Sequence, residues 1–357
     1  ECFSRFLYSL MMSHESLNNL TVEYHDYTED RISINIISYP TFIHFTFELN
    51  AFKMFYLLLL ITGVAAFDME IHSKYETLER TEFVEYFNSL NLTFKIDFEG
   101  LDSDHKHCSF INHDVNLPTI THDVSKMTLP ETFDAREKWS NCPSIRKIYN
   151  QKSCGSCWMF GTATTATDRN CIHANTNKDL SEQDLSCCSD CYEGELCSGG
   201  HPDKAFDFWI NNGLVSYNCQ PYNDFALENH EYCSQTCLNG ADYNQDKNYG
   251  GRVYSVPSDE NQIKAELVTN GPIEAVFVVY SDIEEYTHGV YIHSYGERKG
   301  LHSVRVIGYG EEDGTKYWLV ANSWGTRKGL NGIYKMKQFQ PEIGLEDNLL
   351  AAMPKGF

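Results

Sequence analysis

The chain is 357 residues long, enough for one large domain or two small ones together with processed segments. Hydrophobic residues at 42% can fill such a core. A formal net charge of −22, with no Lys/Arg cluster to override it, excludes a nucleic-acid binder, and the acidic excess is read as a solvated face that implies no partner.

In chain order, residues 1–53 carry no assignable signal. Residues 54–66 read as a secretory signal peptide, in which Phe55 to Ile61 form a short apolar core before the small residues Val64-Ala65-Ala66. Translation is therefore expected to start at Met54, with 1–53 an over-extended gene model and a real N-terminal extension the alternative. The apolar run is shorter than the ~20 residues that span a bilayer, so no stable membrane anchor is expected. Residues 67–128 are charged and uneven. Their one amphipathic stretch is Tyr75 to Leu90, where Leu78, Phe83, Phe87 and Leu90 recur at near-helical intervals, as in a surface helix that needs a partner. Asn91-Leu92-Thr93 is a glycosylation acceptor.

Composition changes at Leu129, taken as the start of the mature protein, 129–357. From there the chain holds eleven cysteines, Cys142, Cys154, Cys157, Cys171, Cys187, Cys188, Cys191, Cys197, Cys219, Cys233 and Cys237. An oxidising compartment pairs ten and leaves one thiol, with the connectivity open on spacing alone. Helical signals fall at Cys157–Cys171, at Ser181–Leu185 behind a Ser181 cap, and at Asp203–Asn211. The loop Cys187–Pro202 between them, rich in Cys and Gly, is expected to depend on cross-links. Short β-type runs follow at Val276–Tyr280, Ser303–Tyr309, Lys316–Ala321 and Gly332–Met336. Helices first and strands later predict two subdomains with a cleft between them.

The stretch Gln151-Lys152-Ser153-Cys154-Gly155-Ser156-Cys157-Trp158 carries the chemistry. A thiol attacks a carbonyl as the thiolate, and an ordinary thiol with a pKa near about 8.5 supplies little of it. At a helix start, the Cys157 sulfur would sit over unpaired N–H groups and the positive end of the helix dipole, which favour the anion. Gln151 can supply an N–H that joins the Cys157 backbone N–H in binding an oxyanion. Cys154-x-x-Cys157 is also a redox or zinc spacing, which competes with this reading. A nucleophilic thiol needs a base and a group to orient it. His302 precedes an alternating strand and Asn322 ends another before Ser323-Trp324, although most of the fourteen histidines must be ordinary surface or core residues.

With these motifs in view, the chain resembles the papain family, and within it the cathepsin B branch. The resemblance rests on Leu129-Pro130…Phe133-Asp134-Ala135-Arg136, Gln151…Cys157-Trp158, Cys197-Ser198-Gly199-Gly200, Tyr243…Gln245-Asp246-Lys247…Tyr249-Gly250, Asn270-Gly271-Pro272-Ile273-Glu274 and Tyr317 to Trp324. It implies an α+β papain-like fold of two subdomains with the active-site cleft between them, helical over roughly 140–240 and β over roughly 250–345. It implies Cys157 as nucleophile, His302 as its base and later general acid, Asn322 as orienter of the imidazole and Gln151 as oxyanion donor. Trp324 would shield the Asn322–His302 contact, and Gly199 and Gly200 would let substrate backbone approach. His302 and Asn322 lie 145 and 165 residues after Cys157, against a usual span of about 130–150. The family's disulfides pair Cys142 with Cys171, Cys154 with Cys197, Cys187 with Cys233, Cys188 with Cys191, and Cys219 with Cys237, which leaves Cys157 as the thiol. No cofactor or metal is implied. The implied partners are peptide or protein substrates and the chain's own pro-segment, 67–128, as inhibitor. The implied location is the secretory pathway, lysosomal or extracellular.

The departures shape the expectation. The cathepsin B branch carries a long loop with two adjacent histidines and its own disulfide, whereas Tyr222 to Tyr232 here is short, has no cysteine and holds only His230. Endopeptidase rather than carboxydipeptidase action is expected. The acidic residue at the floor of the main specificity pocket aligns with Asn348, which cannot pair a guanidinium charge, so a preference for arginine should weaken. Leu301 stands where the family has glycine, Met159 replaces alanine and Lys328 replaces a second tryptophan. These three changes keep an alternative open, a papain-fold peptide-binding protein with impaired catalysis.

Overall fold

A computed structural model describes residues 68–97 and 117–357 in full, with the backbone of three strands further upstream. The expected signal peptide at 54–66 and Cys108 lie outside the described residues. The chain divides into two units, 1–78 and 79–357. In the first, β1 (Thr21–Thr28), β2 (Arg31–Ser38) and β3 (Thr41–Phe47) form an antiparallel meander in that order. Their sequences are dense in Ile, Phe, Tyr and Thr, which suit a pleated ribbon. A helix, α1, follows at 68–77.

The helix expected over Tyr75–Leu90 is instead two helices. Glu79 adopts an extended backbone between α1 and α2 (Arg80–Ser89) and breaks the run. In the second unit α2 turns Phe83 and Phe87 inward, and β4 (Phe94–Ile96) follows it.

The main sheet is antiparallel, with order β11-β10-β9-β7-β12-β6 and the short β5 (Phe133–Asp134) also on β9. Its strands are β6 (Gly250–Ser255), β7 (Ile273–Tyr280), β9 (Arg298–Glu312), β10 (Thr315–Ala321), β11 (Ile333–Lys337) and β12 (Leu349–Pro354). A separate pair joins β4 to β8 (Tyr286–Gly289). The centre of β9 and most of β7 are buried residue after residue, as in strands covered on both faces.

Against this sheet lies α3 (Cys157–Ala174), in contact with β7, β9 and β12. Its sequence is rich in Thr and poor in strong helix formers, yet fifteen of its eighteen residues are buried, so packing rather than propensity holds it. It ends where Asn175 takes a left-handed conformation and its N–H bonds to the Asn170 carbonyl. Helices α4 (Pro202–Asn212), α5 (Asp224–Glu228) and α6 (Glu260–Asn270) complete the longer elements. The expected cap at Ser181 forms, with the Asp184 N–H donating to Ser181 Oγ at 3.0 Å, although the turns it opens are a 3-10 helix, Gln183–Cys187.

Five disulfides join Cys142–Cys171, Cys154–Cys197, Cys187–Cys233, Cys188–Cys191 and Cys219–Cys237, the pairing that the family resemblance implied. Cys154 is committed to Cys197, so Cys154 and Cys157 do not form a redox or zinc pair.

Candidate active site

Cys157 is the first residue of α3. The first turn holds no carboxylate, and Ser156 makes no side-chain cap, since its hydroxyl lies 2.7 Å from the Tyr222 hydroxyl. The positive end of α3 is thus left for whatever charge forms at Cys157. One turn on, Gly161 lies flush against the sheet. A Cβ there would stand 2.1 Å from Ser303 Oγ and 2.3 Å from Glu274 Oε1. Ser303 follows His302 on β9, so this close approach brings the helix start and the histidine strand together.

His302 is fully buried. Its Nε2 lies 2.7 Å from Asn322 Oδ1. The Ser323 backbone N–H also donates to that Oδ1 at 2.7 Å, which fixes the atom as an acceptor. His302 Nε2 must therefore carry the proton, and Nδ1 is the nitrogen left for exchange. Trp324 lies over the imidazole, with ring centroids 4.6 Å apart, and Phe277 meets it edge-on at 5.9 Å. A bulge between Leu319 and Val320 shifts the β10 register against β9 just before Ala321 and Asn322.

Gln151 is fully buried and held from both ends. Its Nε2 donates to the Cys154 carbonyl at 3.2 Å, and its Oε1 accepts from Ser323 Oγ at 2.7 Å. Its backbone N–H donates to the Ser323 carbonyl at 2.9 Å, tying the loop before Cys157 to the strand end that carries Asn322.

One expectation is corrected here. Cys157 is itself disulfide-bonded, and none of the ten cysteines paired above is its partner. The chain carries thirteen cysteines in all, so eleven from Leu129 onward do not require a leftover thiol. A sulfur in a disulfide is not a nucleophile, so any attack by Cys157 requires its reduction first.

Gly199 has φ of 126°, a conformation that favours glycine. Gly200 packs on the Trp158 indole, where a Cβ would approach within 2.5 Å. Both glycines have structural reasons beyond substrate approach. Met159 is fully buried in the core with Trp158, Ala163 and Leu196. Lys328, where the family has a second tryptophan, is 8% exposed. Leu301 is half-buried on β9 opposite Val278. Asn348 is half-buried just before β12, with its carbonyl accepting from the Val276 N–H at 3.0 Å. The stretch Tyr222–Tyr232 holds α5, capped by Asn223, and its His230 Nδ1 lies 2.9 Å from the Tyr232 hydroxyl.

Two features beside the site carried no assigned role on sequence. Gly161 is one, and nothing in a single sequence marks a helical glycine as a contact point. Glu274 is the other, within a motif already noted. Its carboxyl is completely buried between Ser303 Oγ, donating at 2.5 Å, and Thr162 Oγ1, donating at 3.0 Å. Burial pushes its pKa from 4.5 up to about 8, against those two hydrogen bonds, so it is a neutral acid in acidic solution. Burial likewise takes Glu182 up to about 8 and Glu285 up to about 7.

Within the second unit, α2 and β4 pack against residues 286–295. Phe83 and Phe87 of α2 meet Tyr295 edge-on at 4.8 and 5.1 Å, and Phe94 meets Tyr291 at 5.3 Å. Thr93 Oγ1 donates to the Val290 carbonyl at 2.7 Å, and β4 pairs with β8.

A family model for papain family cysteine proteases matches residues 129–353. The chain is 37% identical over 272 residues to cathepsin B-like cysteine proteinase 4 of Caenorhabditis elegans, covering 68% of this chain and 81% of that protein. It is 38% identical over 265 residues to a cathepsin B-like cysteine proteinase of Schistosoma japonicum, covering 67% and 77%. The solved structure of procathepsin B S9 from Trypanosoma congolense matches with TM-score 0.71 at 34% identity, over 78% of this chain and 99% of that one. A digestive procathepsin L 3 of Tenebrio molitor shares the fold, with TM-score 0.60 at 22% identity over 81% and 91%. The chain belongs to the papain family of cysteine proteases, on its cathepsin B-like branch.

Proposed function

We propose that the chain is a secretory zymogen of a cysteine endopeptidase, in which residues 67–128 are the inhibitory pro-segment and 129–357 the mature enzyme. The observation that carries the reading is the 2.7 Å His302–Asn322 bond beneath Trp324, beside a helix that begins at Cys157. Reduction of the Cys157 disulfide by a small thiol first returns the sulfur. Proton transfer to His302 Nδ1 gives a thiolate held by the helix end and the imidazolium. The thiolate attacks the peptide carbonyl, and the oxyanion is bound by the Cys157 N–H and Gln151 Nε2. His302 then gives its proton to the departing amine. Water, deprotonated by His302, hydrolyses the thioester and restores the thiol.

Endopeptidase action is supported by the short Tyr222–Tyr232 stretch. It offers one histidine, turned onto Tyr232, where a carboxydipeptidase needs a group to hold a C-terminal carboxylate. Asn348 as pocket residue favours neutral over basic side chains. The lysosome or the cell exterior is the proposed destination. Among the described residues no helix is long and apolar enough to cross a membrane.

The test is the rate at which an alkylating reagent labels Cys157 in the reduced, processed protein as pH is varied. Labelling already fast well below pH 6 is expected, as for a papain-type pair at about 3–4. Labelling that rises only near about 8.5 would mean no ion pair and favour the peptide-binding alternative. Peptidase activity surviving in Cys157→Ala would refute the nucleophile.

A further inference from the structure

The last part of the proposed pro-segment is seated on a built polar site far from the catalytic groups. Residues 118–120 add alongside the end of β6 as an extended strand. The Ser255 N–H donates to the Pro118 carbonyl at 3.0 Å, the Ile120 N–H donates to the Ser255 carbonyl at 3.2 Å, and Thr119 and Ser255 form a parallel bridge. Two residues on, the side chain of Gln262 takes the place of a neighbouring strand. Its Oε1 accepts from the His122 N–H at 2.6 Å, and its Nε2 donates to the His122 carbonyl at 3.0 Å.

The His122 ring then enters a charged notch. Its Nε2 lies 2.6 Å from Glu266 Oε2. Glu266 stands one turn after Gln262 on the same face of α6 and is 1% exposed. Burial alone would raise its pKa, but Arg169 at 2.8 Å and hydrogen bonds from His122 and the Tyr254 hydroxyl bring it down to about 2. Asn270 Nδ2 donates to the same Oε2 at 2.9 Å. The site therefore reads backbone along β6 and Gln262, and a proton-donating ring at Glu266. Arg169 lies twelve residues after Cys157 on α3, roughly 18 Å along the helix at about 1.5 Å per residue.

We propose that this is a second peptide-binding site, emptied when the pro-segment is removed, which takes an extended segment bearing histidine from a protein substrate by strand addition along β6. Its recognition elements are those His122 and its neighbours use in cis, main-chain pairing for affinity and the Glu266 notch for selectivity. A protein chain bound there while another part of it lies in the cleft gains effective concentration at Cys157. The proposal rests on removal of residues 67–128.

The test uses the processed protein with Cys157 alkylated and a labelled octapeptide with the sequence of residues 117–124. Saturable binding is expected, weakened at least tenfold when the peptide histidine is replaced by alanine, and weakened likewise by Gln262→Ala in the protein. The peptide variant cannot unfold the protein, and the unfolding midpoint of Gln262→Ala is read alongside. A cleft-directed peptidyl inhibitor should leave the binding unchanged. Absence of saturable binding at millimolar peptide, equal binding of the alanine peptide, or displacement by the cleft inhibitor would overturn the proposal. N-terminal sequencing separates the two readings. If residues 117–124 stay on the processed chain the site is never emptied, and the processing reading falls together with this one. Cleaved protein that ignores the peptide overturns this one alone.

Discussion

Glu274→Gln tests whether a buried acid bonded to Ser303, next to His302, makes the fold an acid-adapted one. The carboxyl is completely enclosed, and its pKa rises from 4.5 to about 8 because burial penalises the charged form. Between these values the folded state holds a proton that the unfolded state has lost. Stability contributed by this group is thus fully present below about pH 4.5 and is lost as pH rises to 8. At 1.36 kcal/mol per pKa unit, the loss between pH 5 and pH 8 is roughly 3–4 kcal/mol. For a domain of this size that is a fall in unfolding midpoint on the order of 10 °C. Glutamine keeps the shape, does not titrate, and can exchange hydrogen bonds with Ser303 and Thr162, whose hydroxyls donate or accept. The assay is thermal and urea unfolding of alkylated, processed protein from pH 5 to pH 8. Wild type should lose stability across the range, with Glu182 and Glu285 adding to the loss in the same direction. The variant should lose less by about the stated 3–4 kcal/mol. A wild-type slope retained in Glu274→Gln would show that Glu274 is not the proton holder and refute the argument.

Reduction should be needed before any turnover, so hydrolysis of a fluorogenic peptide by the purified chain should appear only after a mild thiol is added. Turnover at full rate without reductant would contradict a disulfide at Cys157. Gln151→Ala should lower kcat by about 10²–10³ with little change in KM, as for loss of one oxyanion donor. Asn348→Glu should raise kcat/KM for substrates with arginine at the pocket position by roughly ten- to a hundredfold, from a charge-assisted pair worth about 1.5–3 kcal/mol. An unchanged profile would remove Asn348 from the pocket. Gly161→Ala should destabilise by about 1–3 kcal/mol and reduce kcat together, because its Cβ must push α3 away from Ser303.

Much of the site was legible because its chemistry demands rare residue types in fixed local company. Cys157 before Trp158, Asn322 before Ser323-Trp324 and the Gln151 lead-in announce themselves in one dimension. The strands around them were legible wherever β-branched and aromatic residues cluster, as in Val276–Tyr280 and Lys316–Ala321. By contrast β12, Leu-Leu-Ala-Ala-Met-Pro, has neither alternation nor β-branching, and β6 opens with two glycines, so both strands exist through their sheet partners. Helix α6 carries a readable start signal, since Asp259 caps it by accepting from the Asn261 and Gln262 N–H groups. The break at Glu79 was hidden because the apolar spacing continues across it. Glu274 and Gly161 act through contacts between α3, β7 and β9, which periodicity within any one of them does not contain. The disulfide state of Cys157 is not legible from parity, because eleven cysteines from Leu129 onward are only part of the chain's thirteen.

All five described disulfides lie between Cys142 and Cys237, and none ties any residue of β6 to β12. Covalent staples thus reinforce the part of the molecule made of α3, α4 and 3-10 turns, while the sheet is held by hydrogen-bonded ladders and buried packing with no described disulfide. Strong reductant and heat should therefore affect the two flanks unequally. Amide exchange would rise first around Cys187–Cys197, with β7, β9 and β10 still protected. Gly199 and Gly200 would lose their fixed conformation while His302 and Asn322 kept theirs, so the groove would fail as a binder of substrate before it failed as a proton relay.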